Sequence, residues 1–198
     1  MSMRKKSFGT RLLSRAALLA EGSMLCLASS VATAAIIDSG PVNISLPATN
    51  AGLYINVLTG ATGTSGGAVA GWDFNPYLTA SGLGIYWDNV NTASTGGVGV
   101  TAATGPLVVL APGATISVAS IFTRSIQAAS TFRVTQDAFM GFQFFNENTS
   151  VINYGYAELS TTATNGYPAT LVHYVYENSG GPITIPSTPV TLQSFDVD

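Results

Sequence analysis

Turn-forming clusters interrupt this chain so often that no long element fits between them. They are "PATNAG" (47–52), "TGATGTSGG" (59–67), "NTASTGG" (91–97), "TGP" (104–106), "APGA" (111–114), "TNGYP" (164–168) and "NSGGP" (178–182). Glycine supplies positive φ, proline presets the turn, and Asn, Ser and Thr bond back to nearby backbone, so each cluster reverses the chain. Between them lie short runs of β-branched and aromatic residues, and the i, i+3, i+4, i+7 apolar spacing of a helix is missing. The pattern predicts strands near 42–46, 52–58, 69–75, 83–88, 97–101, 106–110, 115–119, 131–135, 139–146, 153–162, 168–178 and 189–195. Many short strands at near-regular spacing point to an all-β chain: a single antiparallel two-sheet β-sandwich, jelly-roll-like. The sandwich domain is expected over 35–186, with 187–198 as a terminal edge strand or tail.

The first 34 residues have a different character. Arg4, Lys5, Lys6, Arg11 and Arg15 precede the apolar runs "AALLA" (16–20) and "MLCLASSVATA" (24–34), which end in Ala32-Thr33-Ala34. A basic region, an apolar region and a small-x-small site read as a secretory signal peptide, 1–34, with cleavage between Ala34 and Ala35. Glu21 inside the apolar run works against insertion. An uncleaved anchor from about Ala16 to Ile37 is the competing reading. Export predicts a secreted or periplasmic protein with no membrane association after cleavage.

Cleavage leaves Arg124 and Arg133 as the basic residues, against nine Asp and Glu, a formal charge of −7. Such a chain repels phosphate backbones and anionic lipid surfaces, so nucleic acid is excluded as a partner. Cys26 lies in the leader, and the mature chain has no cysteine to form a disulfide. Its stability must come from a packed core, for which about 160 residues suffice.

The stretch "GFQFFNENTSVINYGYAELS" (141–160) reads as a hairpin. Alternation puts Phe142 and Phe144 with Ala157 and Leu159 on the core face, and Gly155 leaves room for a large ring opposite it. The other face then carries Gln143, Phe145, Tyr154, Tyr156 and Glu158. Rings flanked by an amide and a carboxylate suit sugars, so Gln143, Tyr154, Tyr156 and Glu158 form a candidate carbohydrate-binding face. An outer face packed under a loop is the alternative.

A second candidate comes from "GWDFNPY" (71–77) and "GIYWDNVN" (84–91). If Trp72 and Phe74 share the core face with Trp87, then Asp73, Asn75 and Asp88 converge at a sheet edge. Such an oxygen set suits calcium, and no other cofactor is implied. Caps for tight turns are the competing role of these residues.

Catalytic material is sparse. "GTSGG" (63–67) places Ser65 in a G-x-S-x-G pattern, but no strand–turn–helix elbow surrounds it. His173 is the single histidine, and one His without Cys does not make a zinc site. It faces the core if Leu171 and Val175 do, and solvent if Val172, Tyr174 and Tyr176 face inward. Glu158 and Glu177 fall on neighbouring predicted strands, which leaves a glycoside hydrolase as a third reading.

Gly141, Phe142 and Phe144, then Tyr154 and Gly155, then Tyr176 and Glu177, then Ile183 or Ile185 follow one another in the order "GF-x-F … YG … YE … I". With "GWDFNPY" upstream, this resembles a group of secreted bacterial β-rich proteins, largely uncharacterised, many of which carry a PEP-CTERM sorting tail. Gln143 stands where that group commonly has Arg, and Tyr156 where it has Trp. The resemblance implies export and a β-rich fold and brings no shared activity. The sorting tail has no counterpart here, so release rather than anchoring is expected. The expected role is thus that of an exported, non-enzymatic, structural or surface-associated protein. Extracellular polysaccharide or an envelope component is its expected partner, and a carbohydrate-binding module is the alternative.

Overall fold

The computed structural model describes residues 34–87, 97–100, 106–123 and 129–187. The predicted leader, Cys26, Asp88, Arg124 and the predicted strand 189–195 lie outside the described residues. In chain order the strands are β1 (Ile36–Asp38), β2 (Ile44–Leu46), β3 (Tyr54–Ile55), β4 (Thr62–Gly63), β5 (Phe74–Thr79), β6 (Gly82–Trp87) and β7 (Gly97–Val100). They continue with β8 (Val109–Leu110), β9 (Thr115–Ile116), β10 (Phe122–Thr123), β11 (Gln136–Asn146), β12 (Val151–Thr161), β13 (Ala169–Glu177) and β14 (Ile183–Thr184). Short 3₁₀ turns occupy Gly66–Ala68 and Ser130–Phe132. Among the described residues no helix is long and apolar enough to cross a membrane.

Every pairing is antiparallel. The large sheet runs β1-β13-β12-β11-β7-β10, with β2 also on β13 and β8 also on β11. The small sheet runs β4-β3-β5-β6, and β9 pairs with β14 as a separate two-stranded strap. The two larger sheets stack on one apolar core, so the expected antiparallel β-sandwich forms. Ile55, Phe74, Leu83, Ile85 and Trp87 of the small sheet meet Met140, Phe142, Phe144, Ala157, Leu159 and Leu171 of the large one. Phe74 sits 5.7 Å from Phe142 and 5.8 Å from Trp87, ring centre to ring centre. Each such side chain taken fully out of water contributes about 1.5–3 kcal/mol.

The β11–β12 hairpin forms as its alternation requires. Phe142 lies opposite Gly155, and a Cβ on that glycine would come within 2.7 Å of the Phe142 ring and of the Val175 carbonyl oxygen. The smallest residue thus sits under the largest ring. On β13 the alternation breaks. Glu158 pairs with His173 but Leu159 pairs with Leu171, so Val172 is an extra, bulged residue. A bulge shifts the side-chain register by one position. Leu171, Tyr174 and Tyr176 therefore all join the core, and His173 and Val175 take the other face. Neither strict alternation drawn from the sequence allows this combination.

Two further expectations need correction. The 131–135 segment, read as a strand, is the end of the 3₁₀ turn Ser130–Phe132 and a bend that leads into β11. Trp72 does not share the core face with Phe74. Gly71 adopts φ +64, and regular strand begins only at Phe74, so alternation does not extend back through the turn. Trp72 instead packs edge-on against Tyr54 at 4.7 Å and stacks on Tyr86 at 5.4 Å. Tyr54 and Tyr86 alternate with the core residues Ile55, Ile85 and Trp87, which puts all three rings on the outer side of the small sheet. Trp87 does fill the core.

Candidate functional site

The face bearing Gln143, Tyr154, Tyr156 and Glu158 is where the sequence places a sugar platform. The strap lies across most of it. Ile116 pairs with Ile183, and Gly113 N–H and Ile185 N–H donate to Ile185 and Ala114 carbonyls at 2.8 and 2.9 Å. Ile116, Ile183 and Ile185 thereby form a second apolar cluster with Tyr154, Tyr156, Val175 and Val100. Tyr154 stacks on Phe122, and Tyr156 meets Phe139 edge-on. Tyr154 is 7% exposed and Tyr156 5%. Gln143 is half-buried beside them. Burial pushes both phenol pKa values up, and the charges of Asp38 and Glu158 add to the effect on Tyr156. The rings form a packed layer rather than an open platform.

Glu177 explains how the strap is delivered. It ends β13, 3% exposed, and its carboxylate accepts hydrogen bonds from Ser179 N–H at 2.9 Å, Ser179 Oγ–H at 2.6 Å and Gly181 N–H. These bonds hold the turn that sends the chain across the sheet into β14. A carboxylate committed to three donors is a structural cap. Glu158 lies elsewhere: it pairs with His173, whereas Glu177 pairs with Tyr154, four residues further along β13. At about 3.3 Å per residue their backbone positions are offset by about 13 Å along the strands. Each carboxylate is turned to its own partners, Glu177 to Ser179 and Gly181 and Glu158 to His173. The two do not meet, because strand register rather than strand adjacency decides.

At the edge of the strap, His173 Nδ1 sits 3.1 Å from Glu158 Oε2, both side chains about three-quarters buried. The Tyr156 ring stands edge-on to the imidazole at 6.1 Å. The pair ties β12 to β13 across the bulge. Ser65 sits in a loop before the 3₁₀ turn Gly66–Ala68, without a cap hydrogen bond and with no helix after it.

The calcium candidates have separate duties. Asp73 is buried, and its Oδ2 accepts a 2.7 Å hydrogen bond from Val57 N–H. Asn75 is buried on β5, and its Nδ2 donates to the Ala51 carbonyl at 3.0 Å. Each pins a different backbone segment to the small sheet. Asp88 lies outside the described residues. Among the described residues no three His, Cys, Asp or Glu side chains cluster to hold a metal. At the expected cleavage point Ala34 is exposed, and the Ala35 N–H donates to Asn178 Oδ1 at 2.9 Å just before β1 begins.

Glu147 belongs to the β11–β12 hairpin, outside the alternation that marks its two faces. It stands in the β11–β12 turn beside an open cleft of about 250 Å³, lined by Asn56, Thr59, Ala70, Gly71 and Asn148. Asn56 builds one wall. Its Nδ2 donates to the carbonyls of Ala70 and Gly71 at 2.9 and 2.7 Å, and its Oδ1 accepts from Thr59 N–H at 2.7 Å. Glu147 Oε1 rests against Gly71, sealed from solvent and with no hydrogen-bond partner among the described residues. Burial pushes its carboxyl pKa up, partly offset by its own backbone N–H. The only sequence signal was an acid inside a hairpin turn, which is a common surface position.

Comparison with known proteins finds no matching family model, no matching curated protein and no matching solved structure.

Proposed function

We propose that this chain is an exported, non-enzymatic β-sandwich with a structural or surface-associated role in a cell envelope or extracellular matrix. The observation that carries the reading is the use to which the functional side chains are put. Glu177 caps the turn into the strap, Asp73 and Asn75 pin backbone, Glu158 bonds His173, and Tyr154 and Tyr156 lie beneath the strap. Groups that would carry chemistry elsewhere here hold layers together. The basic-then-apolar leader ending at Ala34 supports export, and the absence of lysine after residue 34 argues against anionic partners. Extracellular polysaccharide or an envelope component is the partner this reading favours.

Fractionation of producing cells with N-terminal sequencing of the recovered protein tests it. The expected species begins at Ala35 and sediments with envelope or matrix material. Uncleaved chain retained in the cytosol would overturn the reading.

A further inference from the structure

We propose that the cleft beside Glu147 is a binding site for a single sugar residue, with the carboxylate accepting from its hydroxyls. The inference concerns a site that the structural role does not use, and it stands whether or not that role holds.

The argument starts from Glu147 Oε1. A carboxylate oxygen shut away from water without a donor is costly, and any donor that reaches it is bound with advantage. The chain supplies none among the described residues. The terminal torsion of a glutamate is broad, so a partial turn about that bond moves Oε1 off Gly71 toward the cleft that Glu147 lines. The position opposite must be glycine. Gly71 has φ +64, and a Cβ there would collide with Glu147 Oε1 and lie 2.9 Å from Asn56 Nδ2. The Gly71 backbone thus forms the floor that a side chain would fill.

The lining selects the class of ligand. A calcium ion wants six to eight oxygen ligands. The carbonyls of the lining residues Ala70 and Gly71 already accept from the Asn56 amide. A lone ammonium would use the carboxylate and leave the remaining lining idle. Leu58 and Ala70 offer an apolar strip for the C–H face of a sugar ring, and Thr59 and Asn148 offer a hydroxyl and an amide for its rim. The volume falls below the roughly 300 Å³ at which pockets for larger ligands begin, so one ring fits and an oligomer does not.

The test is an amide-resolved NMR titration of the purified protein with the methyl glycosides of glucose, galactose, mannose and N-acetylglucosamine, and separately with calcium chloride. One glycoside is expected to shift the Thr59, Gly71 and Asn148 amides saturably. Glu147→Gln is expected to weaken that binding about tenfold or more, the loss of a charged hydrogen-bond partner. Ala70→Leu, which fills the cleft from its exposed rim, is expected to abolish it with the rest of the spectrum unchanged. Unmoved amides with every glycoside, undiminished binding by Glu147→Gln, or shifts caused by calcium alone would each overturn the proposal. None of these results bears on where the protein is delivered in the cell.

Discussion

The two outer faces of this sandwich carry similar residues and meet different fates. On the large sheet, Tyr154, Tyr156 and Phe139 lie under a strap made by β9 and β14. On the small sheet, Tyr54, Trp72 and Tyr86 pack on one another, and the short turn at Gly66–Ala68 touches Trp72 and Tyr54 but leaves Tyr86 37% exposed. Aromatic alternation is the same in both places. What differs is a turn capped by Glu177, which returns the chain across one face and not the other. An aromatic face read from sequence is therefore a face in need of cover, and its cover is decided by distant segments.

The largest effect that sharpens this contrast is a pair of truncations. Tyr156→Ala should cost about 3–5 kcal/mol in urea unfolding, because it opens a cavity beneath the strap. Tyr86→Ala should cost less than about 1 kcal/mol, as for a ring at a partly wet surface. Equal losses would erase the distinction between the faces.

Alkali should attack the covered faces next. Burial raises the phenol pKa values of Tyr154, Tyr156, Tyr167, Tyr174 and Tyr176, that of Tyr167 to about 12. The protonated form is favoured in the fold. The stability from these shifts is thus complete below the unfolded tyrosine pKa and is lost as pH rises through the raised folded values. Tyrosinate absorbance should rise late and cooperatively with unfolding. A gradual rise at the ordinary phenol pKa, with the fold intact, would contradict the packing.

Glu177→Gln should cost about 1–3 kcal/mol by weakening three charge-assisted bonds at the strap turn. Hydrogen exchange should quicken at the Ile183 and Ile185 amides and stay unchanged on β5 and β6. A uniform acceleration would mean that the cap serves the whole fold rather than the strap.

The smallest effect concerns Glu147. Its raised pKa means that the fold favours the protonated carboxyl, a contribution present in acid and lost as pH rises through the folded value. Glu147→Gln should therefore raise the melting temperature slightly at neutral pH and leave it unchanged in acid. A lowered melting temperature at neutral pH would mean that the ionised carboxylate has found a donor in the free protein.

The hairpin was legible because its cues are local. Eleven-residue strands with strict alternation announce that Phe142, Phe144, Ala157 and Leu159 share a face, and a glycine opposite a phenylalanine announces a tight fit. The strap was not legible, since Ile116 and Ile183 pair across more than sixty residues through two-residue strands that carry almost no pattern. The bulge at Val172 escaped for the opposite reason. A single extra residue leaves composition unchanged yet reassigns His173, Tyr174 and Tyr176. Trp72 misled because Gly71, three residues before β5 begins, breaks the alternation. The cleft at Glu147 left no pattern at all, for it is assembled from three separate turns.

The central claim is that Tyr154 and Tyr156 are layers of a covered core while Tyr86 faces water. Photochemically induced nuclear polarisation, which reports the tyrosine rings that a dissolved dye can touch, tests it most directly. The account predicts a polarised signal from Tyr86 and none from Tyr154 or Tyr156. Polarisation of Tyr154 and Tyr156 in the folded protein would contradict it, and would restore that face as an open platform.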